Sequence, residues 1–184
     1  MRWQGLFEDL EAQASALAQA ARAAEVRDQI RGEFASVLLF DRMRAALGAL
    51  VRVRVTGLGT VTGRLTRCGP DWLLIDEGDG QETLVATRWL LTVRGLGRYS
   101  APPPGPVEAR LGLRHVLRGV ARDRSRVQVR LVDELLITGT LDRVGADFVE
   151  LAAHSDGESR RRREVRDVEI VSLHAIIAVR RSIR

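Results

Sequence analysis

Two rhythms of apolar and polar positions divide the chain. Through residues 1 to 47, Trp3, Phe7, Leu10, Ala14, Leu17, Ala21 and Ala24 recur at steps of four and three. That period belongs to a helix presenting one apolar seam, and the segment holds no Pro while being rich in Ala, Leu, Glu, Gln and Arg. Asp28 and Arg31 then occupy the seam positions, and the apolar stripe moves to Val26, Ile30, Phe34, Val37 and Leu38. The segment therefore reads as one helix bent near Gly32, or as two. Its seam either packs on the rest of the chain or pairs with a partner helix or a second copy through residues 3–24.

From Leu50 the period becomes two. "LVRVRV" alternates apolar and charged residues as a half-buried strand does. Turn residues in "TGLG", "CGP" and "EGDG" separate further strand-like runs at 60–66, 71–75 and 82–86, and a last run covers 90–94. Five short strands of this kind predict a small barrel.

The second half repeats the first. A shift of 76 aligns residues 51–75 with 127–151 without a gap, retaining two valines and Arg54 in the first strand. It also matches Thr62, Gly63, Leu65, Arg67, Gly69 and Asp71 with Thr138, Gly139, Leu141, Arg143, Gly145 and Asp147. Beyond this the shift becomes 86, pairing "VATRWLLTVR" with "VSLHAIIAVR", so the second copy carries ten extra residues that include Arg160 to Arg163. Gly63 and Gly139 fall mid-strand, where a missing side chain lets the strand bend. Gly69 and Gly145 fall in the turn before the third strand, and Asp71 and Asp147 are placed to accept hydrogen bonds from amides of that turn. Trp72 and Phe148 are the aromatics expected to fill the two cores.

Between the copies, "SAPPPGP" reads as an extended linker, and "VEARLGLRHVLRGVARDR" as an amphipathic helix with Leu111, Leu113, Val116, Leu117 and Val120 on one face. Arg110, Arg114, Arg118 and Arg122 recur every four residues along it as a charged ridge. The fold class expected is mostly β with helices. An N-terminal helical segment (1–47) is followed by a first five-stranded barrel (48–98), a Pro-rich linker (99–106), and a helix plus second barrel (107–184).

Composition adjusts this picture only in places. All 29 basic residues are Arg, and the chain holds neither Lys nor Asn, a bias that a GC-rich genome explains. The formal charge of +5 is modest, but residues 106–130 concentrate seven Arg against Glu108 and Asp123. Such a patch suits phosphate neutralisation. No apolar run reaches the length of a membrane span and the N-terminus lacks a signal-peptide pattern, so a cytoplasmic protein is expected. Cys68 is the lone cysteine, and His115, His154 and His174 lack ligand spacing, so neither disulfide nor metal is anticipated. "GLGTVTG" joins two strands, whereas a phosphate cradle leads into a helix. With no nucleophile–base pattern either, the expectation is a non-enzymatic protein without cofactor or small-molecule substrate.

The short helix "DRMRAALG", five strands with a bend glycine in the second, and the closing "VRGLG" resemble the Sm-like fold, as does the second unit ending "AVRRS". In that family, oligomeric barrels of SH3-like architecture bind RNA through the loops between strands two and three and between strands four and five, the latter near an Arg-Gly pair. The resemblance implies that role for Arg94, with Gly95 completing the pair, and for Arg180, which Arg181 follows in place of the Gly. The whole chain is also similar to a family of high-GC bacteria whose members are sometimes labelled Fis-type transcriptional regulators.

Two functions compete on these grounds. One is a nucleic-acid-binding regulator, with RNA favoured over DNA. Its contacts would come from Arg110, Arg114, Arg118, Arg122, the loop Arg160, Arg161, Arg162 and Arg163, the repeat-matched Arg67 and Arg143, and Arg88, Arg94 and Arg180. Trp89 is its stacking candidate. The other is a protein-interaction scaffold or oligomerisation module without nucleic-acid contact.

Overall fold

A computed structural model describes residues 2–153 and 168–182. The chain divides into two units, residues 1–38 and 39–184. The first is a single 34-residue helix, α1 (Arg2–Ala35). It continues without a break through Gly32 and stops at Ala35, so the segment up to that point is one helix and not two. The break falls at residues 36–38, where the Val37 N–H turns back to the Phe34 carbonyl. A β-branched Val and the preceding Ser are poor helix residues, whereas nothing approaches the space beside Gly32.

The second unit opens with α2 (Leu39–Ala45), which buries Phe40 and Met43. Ten strands follow: β1 (Leu50–Val55), β2 (Gly59–Gly69), β3 (Trp72–Gly78), β4 (Gln81–Ala86), β5 (Leu90–Arg94), β6 (Arg126–Leu131), β7 (Leu136–Val144), β8 (Phe148–Ala153), β9 (Val168–Ser172) and β10 (Ile176–Ser182). Helix α3 (Leu113–Asp123) precedes β6. The alternation in β1 holds residue by residue: Val51, Val53 and Val55 are buried, and Leu50, Arg52 and Arg54 face solvent.

All ten strands belong to one open antiparallel sheet in the order β5-β1-β2-β3-β4-β10-β6-β7-β8-β9. Two five-strand sets, β1 to β5 and β6 to β10, are thus joined edge to edge through β4 and β10. The duplication is visible in the irregularities as well. Thr66 and Asp142 are skipped in the β2–β3 and β7–β8 ladders, and Leu91 and Ile177 in the β1–β5 and β6–β10 ladders. Each pair is related by the sequence shift, so the halves share their bulges and the bends that bulges impose.

The repeated glycines are explained by close approach. A side chain at Gly63 would strike the Asp76 carbonyl, and one at Gly139 the Ala152 carbonyl. Gly69 is covered by the Trp72 indole and Gly145 by the Phe148 ring.

Two cores result. One gathers Met43, Val53, Leu65, Ile75 and Val85; the other gathers Leu117, Val129, Leu141, Val149 and Leu151. They do not respect the boundary between the repeats. Trp72, Leu84 and Ala86 of the first repeat belong to the second core, and Ile177 and Ala178 of the second repeat belong to the first. Trp72 thus fills the neighbouring core rather than its own, with its indole N–H donating to the Leu111 carbonyl (2.7 Å). Phe148 is only half-buried and lies outside both sets of buried core residues.

The Pro-rich segment is fastened back onto α2. The Ala101 N–H donates to the Asp41 carbonyl, the Arg44 guanidinium donates to the Pro102 carbonyl, and Arg44 forms a two-pronged pair with Glu108 (2.8 and 3.1 Å). Among the described residues no helix is long and apolar enough to cross a membrane.

Candidate nucleic-acid interface

Helix α3 organises the basic surface. Leu113 and Leu117 point into the core while Val116 and Val120 are half-buried, as the apolar spacing requires. Arg114, Arg118 and Arg122 are left on the exposed side. Arg110 does not extend this ridge. It lies in a separate 3-10 turn, Glu108–Arg110, and the helix begins only after Gly112.

Gly112 has no side chain with which to cap the helix. Asp71 supplies the missing acceptor from the other repeat: the Leu113 N–H donates to its Oδ1 (2.7 Å). Asp71 is therefore structural, but it serves this distant amide rather than those of its own turn. In the turn role the two repeats share a backbone group instead, the carbonyls of Asp71 and Asp147 accepting from the amides of Thr87 and Leu173.

The helix ends at Arg124, which adopts the left-handed conformation (φ 49°). Beyond that end, α3 and β7 enclose a shallow groove of about 380 Å³, lined by Arg118, Arg122, Arg124 and Arg143 with Asp142 as its single acid. Arg143 is 81% exposed and only 3.7 Å from the Glu150 carboxylate, a geometry worth little in water. The groove is thus lined by four Arg, whose guanidinium groups are donors suited to phosphate oxygens.

Arg67, the counterpart of Arg143, lines a second and larger cleft of about 810 Å³ beside α3, together with Trp72, His115 and Glu82. Arg122 lines both clefts. In the larger one the charges are largely matched: Arg181 pairs with Glu82 (2.9 Å) and lies 3.6 Å from Asp123. Cys68 also lines it, and burial pushes its thiol up to about 11, against a smaller lowering by Arg44.

The remaining sequence candidates are scattered. Arg88 is exposed on the 3-10 turn Thr87–Trp89. Trp89 is half-buried and packs against both cores, and its indole N–H is buried with no partner among the described residues. Arg180 is engaged by Glu77 (2.9 and 3.3 Å) and by the Thr83 hydroxyl (3.1 Å). Arg160 to Arg163 and His154 lie outside the described residues.

Arg94 falls in a different basic patch. It stands opposite Arg52 in the β1–β5 ladder, with Arg54 and Arg64 on the same exposed face. Sequence reasoning missed Arg124, Arg52, Arg54 and Arg64. The alternation "VRVRV" was the available signal for two of them, but which strand lies beside β1 is not written in that run.

Among the described residues there is no cluster of three or more His, Cys, Asp or Glu side chains able to hold a metal ion. No family model and no curated protein matches the chain.

Proposed function

We propose that the protein is a non-enzymatic, cytoplasmic nucleic-acid-binding regulator in which two Sm-like five-stranded barrels present basic surface to RNA. The observation that carries this reading is the groove between α3 and β7, where Arg118, Arg122, Arg124 and Arg143 converge around one acid. Arg neutralises phosphates and donates paired hydrogen bonds to their oxygens. The grooved shape suits a flexible single strand better than a straight duplex. Matched bulges and glycines in the two halves support reading each as a barrel of one kind, with domains at 48–98 and 107–184.

Fluorescence anisotropy with short labelled RNA and DNA, at low and near-physiological salt, tests this. Binding should fall steeply with salt and prefer RNA, and an Arg118→Glu/Arg122→Glu variant should weaken it at least about tenfold. Binding indifferent to that variant would overturn the assignment of the groove.

A second reading is favoured by one observation: Leu17, in the apolar seam of α1, is exposed. On this reading α1 captures a partner helix or a second copy through residues 3–24, and the protein serves as a scaffold. Sedimentation of the intact protein with a Leu17→Glu variant tests it, with loss of association expected.

A further inference from the structure

The larger cleft, beside α3, is lined from both repeats, and the charges it leaves unpaired are of one sign. Each of its acids faces an Arg: Glu82 and Asp123 face Arg181, and Glu108 is held by Arg44. Arg67 and Arg122 also line it, both are exposed, and neither has a partner among the described residues. The rest of the lining is largely apolar. Leu84, Val127 and Val179 are buried, while Leu74, Val116 and Val120 are half-buried. We propose that this cleft binds a small amphipathic anion, with an apolar body against these side chains and one acidic head beside Arg67 and Arg122.

The duplication leaves Arg67 without the countercharge that its equivalent has. Arg143, the counterpart of Arg67, stands opposite Glu150 in the β7–β8 ladder, 3.7 Å from its carboxylate. Arg67 occupies the same register in the β2–β3 ladder, but the residue opposite is Leu74. The first repeat therefore sets an apolar wall where the second sets an acid. A carboxylate or phosphate carrying an apolar body satisfies both at once: its oxygens accept from the guanidinium, and its body covers the wall.

Helix α3 keeps the middle of the cleft open. Gly119 lies in the interior of this helix, where glycine is destabilising. Its neighbours three and four residues away, His115, Val116, Arg122 and Asp123, all line the cleft, as does Gly119 itself. A Cβ at this position would meet nothing within 4 Å. Packing within the fold thus gives no reason for a glycine, whereas room for a ligand does. The volume of about 810 Å³ lies in the range of roughly 300–1,000 Å³ found for small-molecule sites.

Fluorescence titration of the full chain with anilinonaphthalene sulfonate, an aromatic anion, followed by displacement with decanoate, decanol or acetate, tests the proposal. The dye should bind at a saturable site. Decanoate should displace it at least about tenfold more effectively than decanol, which lacks the charge, or acetate, which lacks the body. Gly119→Leu places a good helix former in the open space and should weaken binding of dye and decanoate at least about tenfold. Arg67→Gln should weaken decanoate by a similar factor while leaving decanol within about twofold of wild type. Arg114→Gln removes the same charge from an exposed position on α3 that lines neither cleft, and should leave decanoate within about twofold. Circular dichroism and thermal melts check that each variant is folded; Arg67 is exposed, so its variant keeps the test decisive even if Gly119→Leu fails to fold. No saturable dye binding, decanol as effective as decanoate, a folded Gly119→Leu that binds like wild type, or equal losses in Arg67→Gln and Arg114→Gln would each overturn the proposal.

Discussion

The Asp71 carboxylate accepts a 2.7 Å hydrogen bond from the Leu113 N–H, so a turn of the first repeat caps the helix that opens the second. Removing the acceptor leaves the first turn of α3 uncapped, because Gly112 offers nothing in its place. Asp71→Ala should destabilise the protein by about 1–2 kcal/mol in urea denaturation. Asp147→Ala, at the exposed equivalent position, should change stability by less than about 0.5 kcal/mol. Equal effects at the two sites would show that the cap contributes nothing.

Glycine substitutions should separate close approach from helix propensity. Gly63→Ala and Gly139→Ala force a methyl group against a neighbouring strand's carbonyl and should each cost roughly 2 kcal/mol or more. Gly119→Ala lies within α3 with open space around it, and should stabilise by about 0.5–1 kcal/mol. Thermal melts of the three variants give the comparison.

Much of this fold is legible in the chain because its signals are local. Alternation located β1, turn glycines separated β2 from β3, and the run Leu90–Arg94 is the strand that forms. What local signals do not carry is which strands meet at a distance. The β4–β10 pairing joins residues 97 apart in the case of Thr83 and Arg180, and neither run advertises the other. For the same reason the Arg118–Arg143 convergence was only half visible. The ridge on α3 follows from its period, but its approach to β7 depends on tertiary packing.

Cys68 should behave as an inert thiol. Burial raises it from 9.0 to about 11, so at pH 8 roughly one thiol in a thousand is ionised, and reaction with a disulfide reagent should be far slower in the folded than in the unfolded protein. The folded state keeps a proton that the unfolded state releases. The resulting stability is fully present below about pH 9 and is lost as pH rises through about 11. A Cys68→Ala variant should lack that alkaline component in denaturation measured across the same pH range.

Arg180 should prove to be a fastening of the sheet rather than a nucleic-acid contact, although the Sm-like resemblance implies the latter. Its guanidinium bridges both Glu77 oxygens and the hydroxyl of the fully buried Thr83, which in turn donates to Glu77, so one network ties β3, β4 and β10 together. Thr83→Val keeps the volume but strips Arg180 Nε and a Glu77 oxygen of their shared partner, and should cost about 1–2 kcal/mol. A double-mutant cycle of Glu77→Gln and Arg180→Gln should give a coupling of about 1 kcal/mol or less, because Arg180 is 40% exposed and its charge is partly screened. In the anisotropy assay, Arg180→Gln should leave RNA affinity within about twofold of wild type while Arg118→Glu/Arg122→Glu does not. Loss of RNA binding in Arg180→Gln without loss of stability would reverse this assignment and place the binding surface on the β10 side of the sheet.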